Sequence, residues 1–295
     1  MNLSPVILFV YNRPWHTQQT VEALKKNELA SESDLFIFSD GPKTENDENV
    51  KKVREYIKAV HGFKSVAIVE REKNLGLAES VIAGVTEIVN KCGKVIVLED
   101  DLVTSKHFLR FMNEGLDIYE NEEKVISIHG YMYPVEHKLP DTFFLKGTDC
   151  WGWATWRRGW DLFNPDGNKL LAKIEEQNLE KEFDFNGAYP YTRMLRSQIE
   201  GFNNSWAIRW YSSAFLEEKL TLYPGISLVD NIGNDNSGTH CGDIDEFKNT
   251  ICDHKIKLVQ IAIEESVEAK KFITEFFLYN NKNAIYKKII NFIKR

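Results

Sequence analysis

The chain has 295 residues and a net charge of −7, a length that allows one large domain or two closely packed halves. Apolar residues make up 43% and charged residues 27%, an ordinary balance for a globular protein. The negative net charge argues against a general nucleic-acid-binding protein, which would carry a basic face. We therefore expect no nucleic-acid partner.

The N-terminus and the cysteines bear on the cellular compartment. Residues 1–5 show no basic segment followed by an apolar core, so no signal peptide is expected. No apolar run approaches the ~20 residues of a membrane-spanning helix. The cysteines are widely spaced without a CxxC pair, which is typical of a reduced cytoplasmic protein rather than a disulfide scaffold. They are Cys92, Cys150, Cys241 and Cys252.

The C-terminal residues are basic and also carry an apolar stripe. The stripe consists of Ile285, Ile289, Ile290 and Ile293, beside several lysines. A basic amphipathic end of this kind can lie on an anionic membrane, which would make the protein peripheral at the inner face of the membrane. A helix that packs on the domain and keeps its lysines in water explains the same pattern.

Strand and helix patterns alternate through the first hundred residues. Short β-branched runs predict strands, and apolar residues at helical spacing predict the helices between them. This alternation predicts an α/β fold with a mostly parallel sheet built from right-handed βαβ units. The predicted strands are 5–11, 34–39, 65–69 and 94–98, and the predicted helices are 17–26, 48–60 and 78–91.

The fourth of these strands ends in three acids. Four apolar residues, 95–98, precede Glu99, Asp100 and Asp101. In an open α/β sheet the carboxyl ends of the strands face the ligand crevice. Adjacent carboxylates repel one another unless a cation compensates them, and a hard divalent ion such as Mn²⁺ or Mg²⁺ takes oxygen ligands and bridges to phosphates. For Asp101 alone, an N-cap of a helix beginning near residue 105 is an open alternative.

Three other strand ends carry polar residues that suit a nucleotide. These residues are Tyr11, Asn12 and Arg13 after the first strand, Asp40 after the second, and Asn74 with Gly76 after the third. Each alone is explained by turn chemistry. Together, at one edge of one predicted sheet, they indicate a binding site. The chain has no GxGxxG and no GxxxxGK[ST] segment, which disfavours a dinucleotide fold and a P-loop.

The pattern is less regular after residue 104. Helices are predicted at 107–121, 191–201 and 205–216, and from 256 onward, with strands at 125–130, 143–145 and a short edge strand at 220–224.

Four tryptophans fall within residues 151–160. Trp153, Trp156 and Trp160 have helical spacing, which a packed helix would explain, whereas Trp151 and Gly152 precede that stripe and could form a platform for a sugar ring.

His240 lies in a polar, glycine-rich segment at 230–240. It could be a further ligand to the metal held by the acids, or simply an exposed loop histidine. With Cys241, Cys252 and His254 it might suggest zinc, but the ten residues between the cysteines do not match the spacing of structural zinc sites.

The acidic strand end and the tryptophan run together resemble nucleotide-sugar glycosyltransferases of the GT-A fold, especially bacterial relatives of N-acetylglucosaminyltransferase I. The resemblance covers about residues 5–242. It implies a GT-A fold with a mostly parallel central sheet flanked by helices and a smaller mixed acceptor-side region. The implied divisions are a nucleotide-sugar-binding half at 1–104, an acceptor-binding half of the same domain at 105–250, and a helical C-terminal tail at 251–295.

The resemblance also implies roles for individual residues. Asp101 matches the direct metal ligand of the family's acidic motif, with Glu99 and Asp100 beside it, and His240 resembles a C-terminal histidine that reaches the metal or the diphosphate. Arg13 is implied to approach the nucleotide and Asp40 to hold uridine. The implied sugar and acceptor pocket comprises Trp151, Gly152, Trp153, Trp206 and Arg209.

One position departs from the family pattern. Related enzymes commonly place a catalytic aspartate directly after the tryptophan equivalent to Trp206, but this chain has Ala207, which cannot accept a proton. An inverting transfer needs a base close to the acceptor hydroxyl. The candidates are Asp149, Glu200 and Asp235.

The resemblance implies a metal-dependent, inverting transfer from a UDP-sugar, such as UDP-GlcNAc or a UDP-hexose, to a glycan or lipid-linked glycan in surface polysaccharide synthesis. A nucleotidyltransferase also holds metal on carboxylates at strand ends, but the missing glycine-rich phosphate loop speaks against it. Ala207 and the tryptophans leave a third possibility, a catalytically inactive relative that binds carbohydrate.

Overall fold

The computed structural model describes residues 3–44, 47–235 and 245–293, with side chains described as far as residue 281. Eight strands form the main sheet, and two short strands form a second sheet. The strands are β1 Val6–Val10, β2 Asp34–Ser39, β3 Ser65–Glu70, β4 Lys94–Glu99, β5 Leu102–Thr104, β6 Val125–His129, β7 Thr142–Lys146, β8 Trp153–Trp156, β9 Leu220–Pro224 and β10 Val229–Asn231.

Ten α-helices connect and cover these strands within the described residues. Two single-turn 3₁₀-helices are found at Ala30–Glu32 and Asp245–Phe247. The α-helices are α1 Pro14–Lys25, α2 Glu48–Lys58, α3 Leu77–Cys92, α4 Phe108–Ile118, α5 Arg157–Trp160, α6 Gly167–Glu176, α7 Glu180–Phe183, α8 Tyr191–Ile199, α9 Trp206–Leu216 and α10 Val267–Ile293.

The main sheet has the order β3-β2-β1-β4-β8-β6-β9-β7. Its first four strands are parallel, and the chain steps outward from β1 to β2 and β3 before β4 returns to the other side of β1. The strand order therefore reverses between β1 and β4, which is where open α/β sheets form their ligand crevice. The predicted α/β class with a mostly parallel, helix-flanked sheet is confirmed.

The second half of the sheet is mixed. β8 runs antiparallel to both β4 and β6, and its first residue, Trp153, is paired with Val97 on one side and His129 on the other. β9 is parallel to β6, and β7 is antiparallel to β9. The segment before Trp153 consequently lies beyond the carboxyl ends of both β4 and β6. One edge of the sheet thus collects the ends of β1, β2, β4 and β6 and the start of β8.

The tryptophan run does not form the helix that its spacing suggests. Trp153 and Trp156 belong to β8, and only Trp160 is helical. Because side chains alternate across a strand, residues three apart point to opposite faces. Trp153 packs in the core cluster that contains Trp160, whereas Trp156 packs in the cluster on the other face. Both sheet faces are covered, so both positions are buried and the helical interpretation was wrong.

Three further expectations change. β9 lies between β6 and β7 rather than at an edge, because β7 pairs along its full length. The C-terminal helix begins at Val267 rather than at residue 256. The N-cap alternative for Asp101 is wrong, since α4 begins at Phe108 after His107 and Asp101 leads into β5.

Polar caps begin several of the helices. Asp47 accepts backbone hydrogen bonds at the start of α2, and Ser205 does the same at the start of α9. Within the described residues no helix combines the length and apolar character needed to cross a membrane. The predicted membrane-binding stripe lies on side chains outside the described part of the chain, and the proposed division at residue 104 stays a prediction.

Candidate active site

Arg13 joins the ends of β1 and β4 at the point where the strand order reverses. Its Nη2 donates to Asp100 Oδ1 and to Asp101 Oδ2, the latter at 2.8 Å. Asp100 and Asp101 are 4% and 6% exposed. Thr20 Oγ1 donates to the backbone oxygen of Asp100 at 2.8 Å, which ties α1 to the same turn. The crevice between β1 and β4 is therefore lined by one cation and the acidic triplet.

Burial and the crowding of like charges change the pKa values of the acidic groups. Burial, followed by the charges of Asp101 and Asp100, raises the pKa of Glu99 to about 8. Burial also raises the pKa of Asp100, against the lowering effect of Arg13. Burial disfavours the Arg13 guanidinium, but the two carboxylates outweigh that effect and raise its pKa. Near neutral pH the triplet therefore keeps less than its full negative charge, and Arg13 stays charged.

A backbone loop after β10 closes over this ion pair. Ile232 N donates to the backbone oxygen of Asp101 at 2.9 Å. A Cβ placed on Gly233 would lie 2.1 Å from Asp101 Oδ2 and 2.9 Å from Arg13 Nη1, so only glycine allows this close approach. Two residues later, Asp235 pairs with His16 of α1 at 3.1 Å. The loop is thereby held against the first turn of α1.

The donor set suits a hard divalent ion that also binds a diphosphate. Among the described residues, no group of three or more His, Cys, Asp and Glu is arranged to hold a metal. Mg²⁺ commonly takes one or two carboxylates together with substrate phosphates, rather than an all-protein cage. Asp100 and Asp101 fit that role chemically, with Mn²⁺ or Mg²⁺ completing its coordination on phosphate oxygens. His240, the other predicted ligand, lies outside the described residues.

Asp40 has a different environment from the one predicted for it. Its Oδ1 accepts from the backbone N–H groups of Gly41 and Leu75, and its Oδ2 accepts from Gly76 N and Asn74 Nδ2, all at 2.8 to 3.0 Å. A carboxylate offers about four acceptor positions, and these four bonds use them. Asp40 therefore fastens the β3–α3 loop to the end of β2, which argues against a direct bond to uridine.

The remaining nucleotide candidates lie at this same edge. Tyr11 is half-buried, with Lys43 Nζ 5.9 Å from its ring centre, and Asn12 beside it is half-buried. Asn74 Nδ2 also donates to Gly41 O at 2.8 Å, and Gly76 has φ of 79° at the start of α3. Asn74 and Gly76 thus shape the loop that Asp40 fastens, and their contact with a nucleotide stays a prediction.

Asp149 occupies the segment that leads into β8. Its Oδ2 accepts from the Tyr133 hydroxyl at 2.8 Å and its Oδ1 accepts from Cys150 N at 2.8 Å. Its side chain is 20% exposed. Two of about four acceptor positions are therefore used, and the carboxylate can still accept a proton or a hydroxyl. Among the three predicted bases, Asp149 is the one placed beyond the ends of β4 and β6.

A ring of aromatic and thiol side chains surrounds Asp149. Burial first, and the charge of Asp149 second, raises the pKa of each of these groups. They are Tyr131, Tyr133, Tyr189, Tyr191, Tyr223 and Cys150. The charges of Glu99 and Asp101 also raise the pKa of Cys150. Cys150 is therefore within electrostatic reach of both Asp149 and the acidic triplet, which places the two sites side by side.

The predicted sugar and acceptor residues separate into two groups. Trp151 is half-buried beside Tyr131, with ring centres 4.7 Å apart, and Gly152 O accepts from Gly130 N at 2.7 Å. Trp153 and Trp206 are 0% and 3% exposed and stack on each other in the core. That burial argues against their predicted contact with a sugar.

Arg209 also has a structural environment. Its guanidinium donates to the backbone oxygens of Ser205 and Pro165 and to Asn204 Oδ1, and it is buried. These bonds join the start of α9 to the segment before α6. Its predicted place in the acceptor pocket is therefore not supported by its contacts.

The other two candidate bases lie elsewhere. Glu200 is exposed at the C-terminal end of α8, and Asp235 pairs with His16.

Two site residues were not predicted from the sequence, His16 and His129. His129 ends the apolar strand β6, so the rule that singled out the acids after β4 would have identified it.

No family model and no curated protein matches the chain. Among solved structures, a 1–349 fragment of Staphylococcus aureus TarS aligns over 75% of this chain and 60% of its own length, at 12% identity and a TM-score of 0.39. A longer TarS structure is covered over 25% of its length.

The mannosyltransferase PcManGT from Pyrobaculum calidifontis, in complex with GDP-Man and Mn²⁺, aligns over 74% of this chain and 72% of its own, at 9% identity and a TM-score of 0.38. A UDP-glucose pyrophosphorylase with UDP-glucose aligns over 56% of this chain and 82% of its own, at 10% identity and a TM-score of 0.32. All three TM-scores are below 0.5, so the site itself carries the functional inference.

Proposed function

We propose that the protein is a glycosyltransferase that moves a hexosyl or N-acetylhexosaminyl group from a UDP-sugar to a glycan or lipid-linked glycan. The observation that carries this proposal is the position of Arg13, Asp100 and Asp101 in the crevice between β1 and β4. A cation among carboxylates at the point where the strand order reverses suits a nucleoside diphosphate and its counter-ion. The resemblance to GT-A enzymes supports surface polysaccharide synthesis as the setting.

In this proposal the donor and the acceptor meet between two neighbouring clusters. Arg13 and the β1 end bind the nucleotide side of the donor. A divalent cation held with the diphosphate by Asp100 and Asp101 would supply neutralisation of the charge on the leaving group. Trp151 borders the sugar or the acceptor, and the tyrosines around Asp149 line the acceptor side.

Asp149 is the base in the proposed reaction. The acceptor oxygen forms a bond to the anomeric carbon while the bond from that carbon to the diphosphate breaks, which inverts the anomeric centre. The hydroxyl proton passes to the Asp149 carboxylate, and UDP leaves with the bonding electron pair. Asp149 takes the role of the aspartate that related enzymes have at the position of Ala207. It is suited to this role because its carboxylate keeps free acceptor positions at the carboxyl edge of the sheet.

Calorimetric titration of UDP with and without Mn²⁺ tests the donor site. Two aspartates face one guanidinium, so a diphosphate alone is repelled, and we expect Mn²⁺ to tighten binding at least about tenfold. Asp101→Ala should lose this gain while staying folded. Asp161→Ala is the matched control, since this exposed carboxylate directly follows α5 at the opposite sheet edge. Equal metal-dependent affinity in Asp101→Ala and in the wild type would contradict the proposal.

Donor turnover separates this function from the alternatives. A glycosyltransferase releases UDP from a UDP-sugar, in the presence of an acceptor or slowly by hydrolysis. A nucleotidyltransferase would instead release pyrophosphate from a nucleoside triphosphate. Glycan binding that needs no metal, with no donor hydrolysis, would support the inactive carbohydrate-binding relative that Ala207 suggests.

A further inference from the structure

His129 is a buried imidazole without a hydrogen-bond partner in the described part of the chain. It is 0% exposed, and neither Nδ1 nor Nε2 has a hydrogen-bond partner among the described residues. Buried polar atoms are nearly always paired, because an unpaired one loses its bonds to water without compensation. An orphaned histidine in the middle of a candidate site therefore needs an explanation.

The nearest charged group is the proposed base. His129 Nε2 lies 3.7 Å from Asp149 Oδ2, the same oxygen that accepts from the Tyr133 hydroxyl at 2.8 Å. The pairing of His129 with Trp153 in the sheet sets its backbone, and Tyr223 packs on its ring with centres 4.9 Å apart. A shift of less than about 1 Å would bring Nε2 to hydrogen-bond distance of the carboxylate.

The protonation of His129 suits a donor role. Burial lowers its pKa to about 4, against the opposing effect of Asp149, so the ring is neutral near pH 7. A neutral imidazole carries a hydrogen on one nitrogen only. The carboxylate beside Nε2 favours the tautomer with the hydrogen on that nitrogen.

We propose that His129 is a positioning residue that donates Nε2–H to Asp149 Oδ2 in the working site, together with Tyr133, and so keeps the carboxylate aimed at the acceptor hydroxyl. This inference rests on the proposed function, because it assigns a purpose to His129 through the base role of Asp149. Two donors from β6 and the segment after it then hold Oδ2, and Cys150 N already donates to Oδ1, so one acceptor position on Oδ1 remains for the acceptor hydroxyl.

Other ionisable groups around Asp149 bear on its titration. The groups that interact with its charge are the hydroxyls of Tyr131, Tyr133, Tyr189, Tyr191, Tyr211 and Tyr223 and the thiol of Cys150. Their raised pKa values keep them neutral across the working range. Beyond Cys150 lie Glu99 and Asp101, and Asp230 faces Tyr131. His129 and Tyr133 are thus the two neighbours positioned to alter the charge of Asp149 through a hydrogen bond to Oδ2.

The experiment follows the Asp149 carboxyl by ¹³C NMR during a pH titration, with Asp149→Asn to assign its signal. His129→Phe keeps the ring packing on Tyr223 but removes the donor, and we expect the pKa of Asp149 to rise by about one unit. His129→Gln retains an N–H donor and should restore most of the wild-type value. His254→Phe is the control, because His254 is an exposed histidine, and it should leave the Asp149 titration unchanged.

The wild-type protein provides a second measurement that needs no variant. Long-range ¹H–¹⁵N spectra report which ring nitrogen carries the hydrogen, and we expect Nε2–H for His129. A hydrogen on Nδ1, or an Asp149 carboxyl that titrates identically in His129→Phe and the wild type, would overturn the proposal. The tautomer measurement on the wild type decides the matter even if His129→Phe does not fold.

Enzyme kinetics then separate this proposal from the proposed function. With a working donor and acceptor, the acidic side of the pH profile of kcat should shift to higher pH in His129→Phe, following the Asp149 pKa. At pH values below this pKa, kcat should fall about tenfold while the donor KM stays unchanged. Full transfer activity in Asp149→Asn would overturn the base role, and with it the purpose assigned to His129, even where the NMR coupling is present.

Discussion

Two aspartates predicted as site residues differ in how many hydrogen bonds their carboxylates already accept. Asp40 accepts four, from three backbone N–H groups and the Asn74 amide, whereas Asp149 accepts two. The first is saturated and serves the loop that it fastens. The second keeps acceptor positions for a substrate. Both are aspartates in segments next to a strand, and only the neighbouring groups distinguish the two roles.

Asp40→Asn should therefore act on stability more than on nucleotide affinity. An amide NH₂ would face backbone donors, so at least one buried N–H would lose its acceptor, and we expect unfolding free energy to fall by about 2 kcal/mol. Urea denaturation measures this. Asp34→Asn, at the opposite end of β2 and partly exposed, should change stability by less than about 1 kcal/mol. A stable Asp40→Asn protein with abolished UDP binding would instead support the predicted uridine contact.

At the scale of elements, the loop after β10 packs directly against the acidic strand end. β10 pairs antiparallel with β5, the strand that continues from Asp101, and so delivers Ile232 and Gly233 onto the ion pair. The contact depends on backbone rather than on side chains. A two-stranded sheet of three residues each therefore sets the geometry around Asp101.

Gly233→Ala tests this element. A methyl group 2.1 Å from Asp101 Oδ2 must displace either the loop or the carboxylate, and we expect Mn²⁺-dependent UDP affinity to fall about tenfold or more. Asn234→Ala, one residue along the same loop, should bind UDP like the wild type. Unchanged affinity in Gly233→Ala would mean that the loop moves aside without cost and does not shape the donor site.

At the scale of the whole molecule, two buried groups give folding stability opposite responses to pH. His129 has a folded pKa of about 4, below its ordinary value of 6.5, so the unfolded chain takes up a proton first and stability is lost as pH falls through this window. Glu99 has a folded pKa of about 8, above its ordinary value of 4.5. The stability that its protonated form contributes is therefore lost as pH rises from 4.5 to about 8.

Comparison of the wild type with His129→Phe tests the contribution of the histidine, with the Asp149 titration followed separately by NMR. The stability advantage of the wild type should shrink by about 3 kcal/mol between pH 7 and pH 4, since about 2.5 pKa units separate the folded and ordinary values. Denaturant unfolding at a series of pH values measures this difference. A pH-independent difference between the two proteins would show that His129 titrates normally in the folded state.

The sequence predicted the first half of the fold well, because strand and helix periodicities alternate there and the connections are short. The four parallel strands and the helices between them form as expected. The second half was predicted less well. Trp153 and Trp156 have the spacing of a helix but occupy a strand covered on both faces, and the spacing of bulky residues cannot distinguish these cases. β9 is likewise an interior strand because β7, distant in sequence, pairs with it.

The acidic triplet, Arg13 and the α/β class follow from the sequence by itself, since local pattern and strand-end chemistry determine them. Tertiary structure decided which polar residues meet. Arg13 reaches Asp100 and Asp101 because β1 and β4 are neighbouring strands. His129 lies close to Asp149 because β6 pairs with β8. Tertiary structure also buries Trp206 and Arg209 and fills the acceptor positions of Asp40 with hydrogen bonds. Contacts between residues far apart in the chain depend on strand order, which periodicity does not encode.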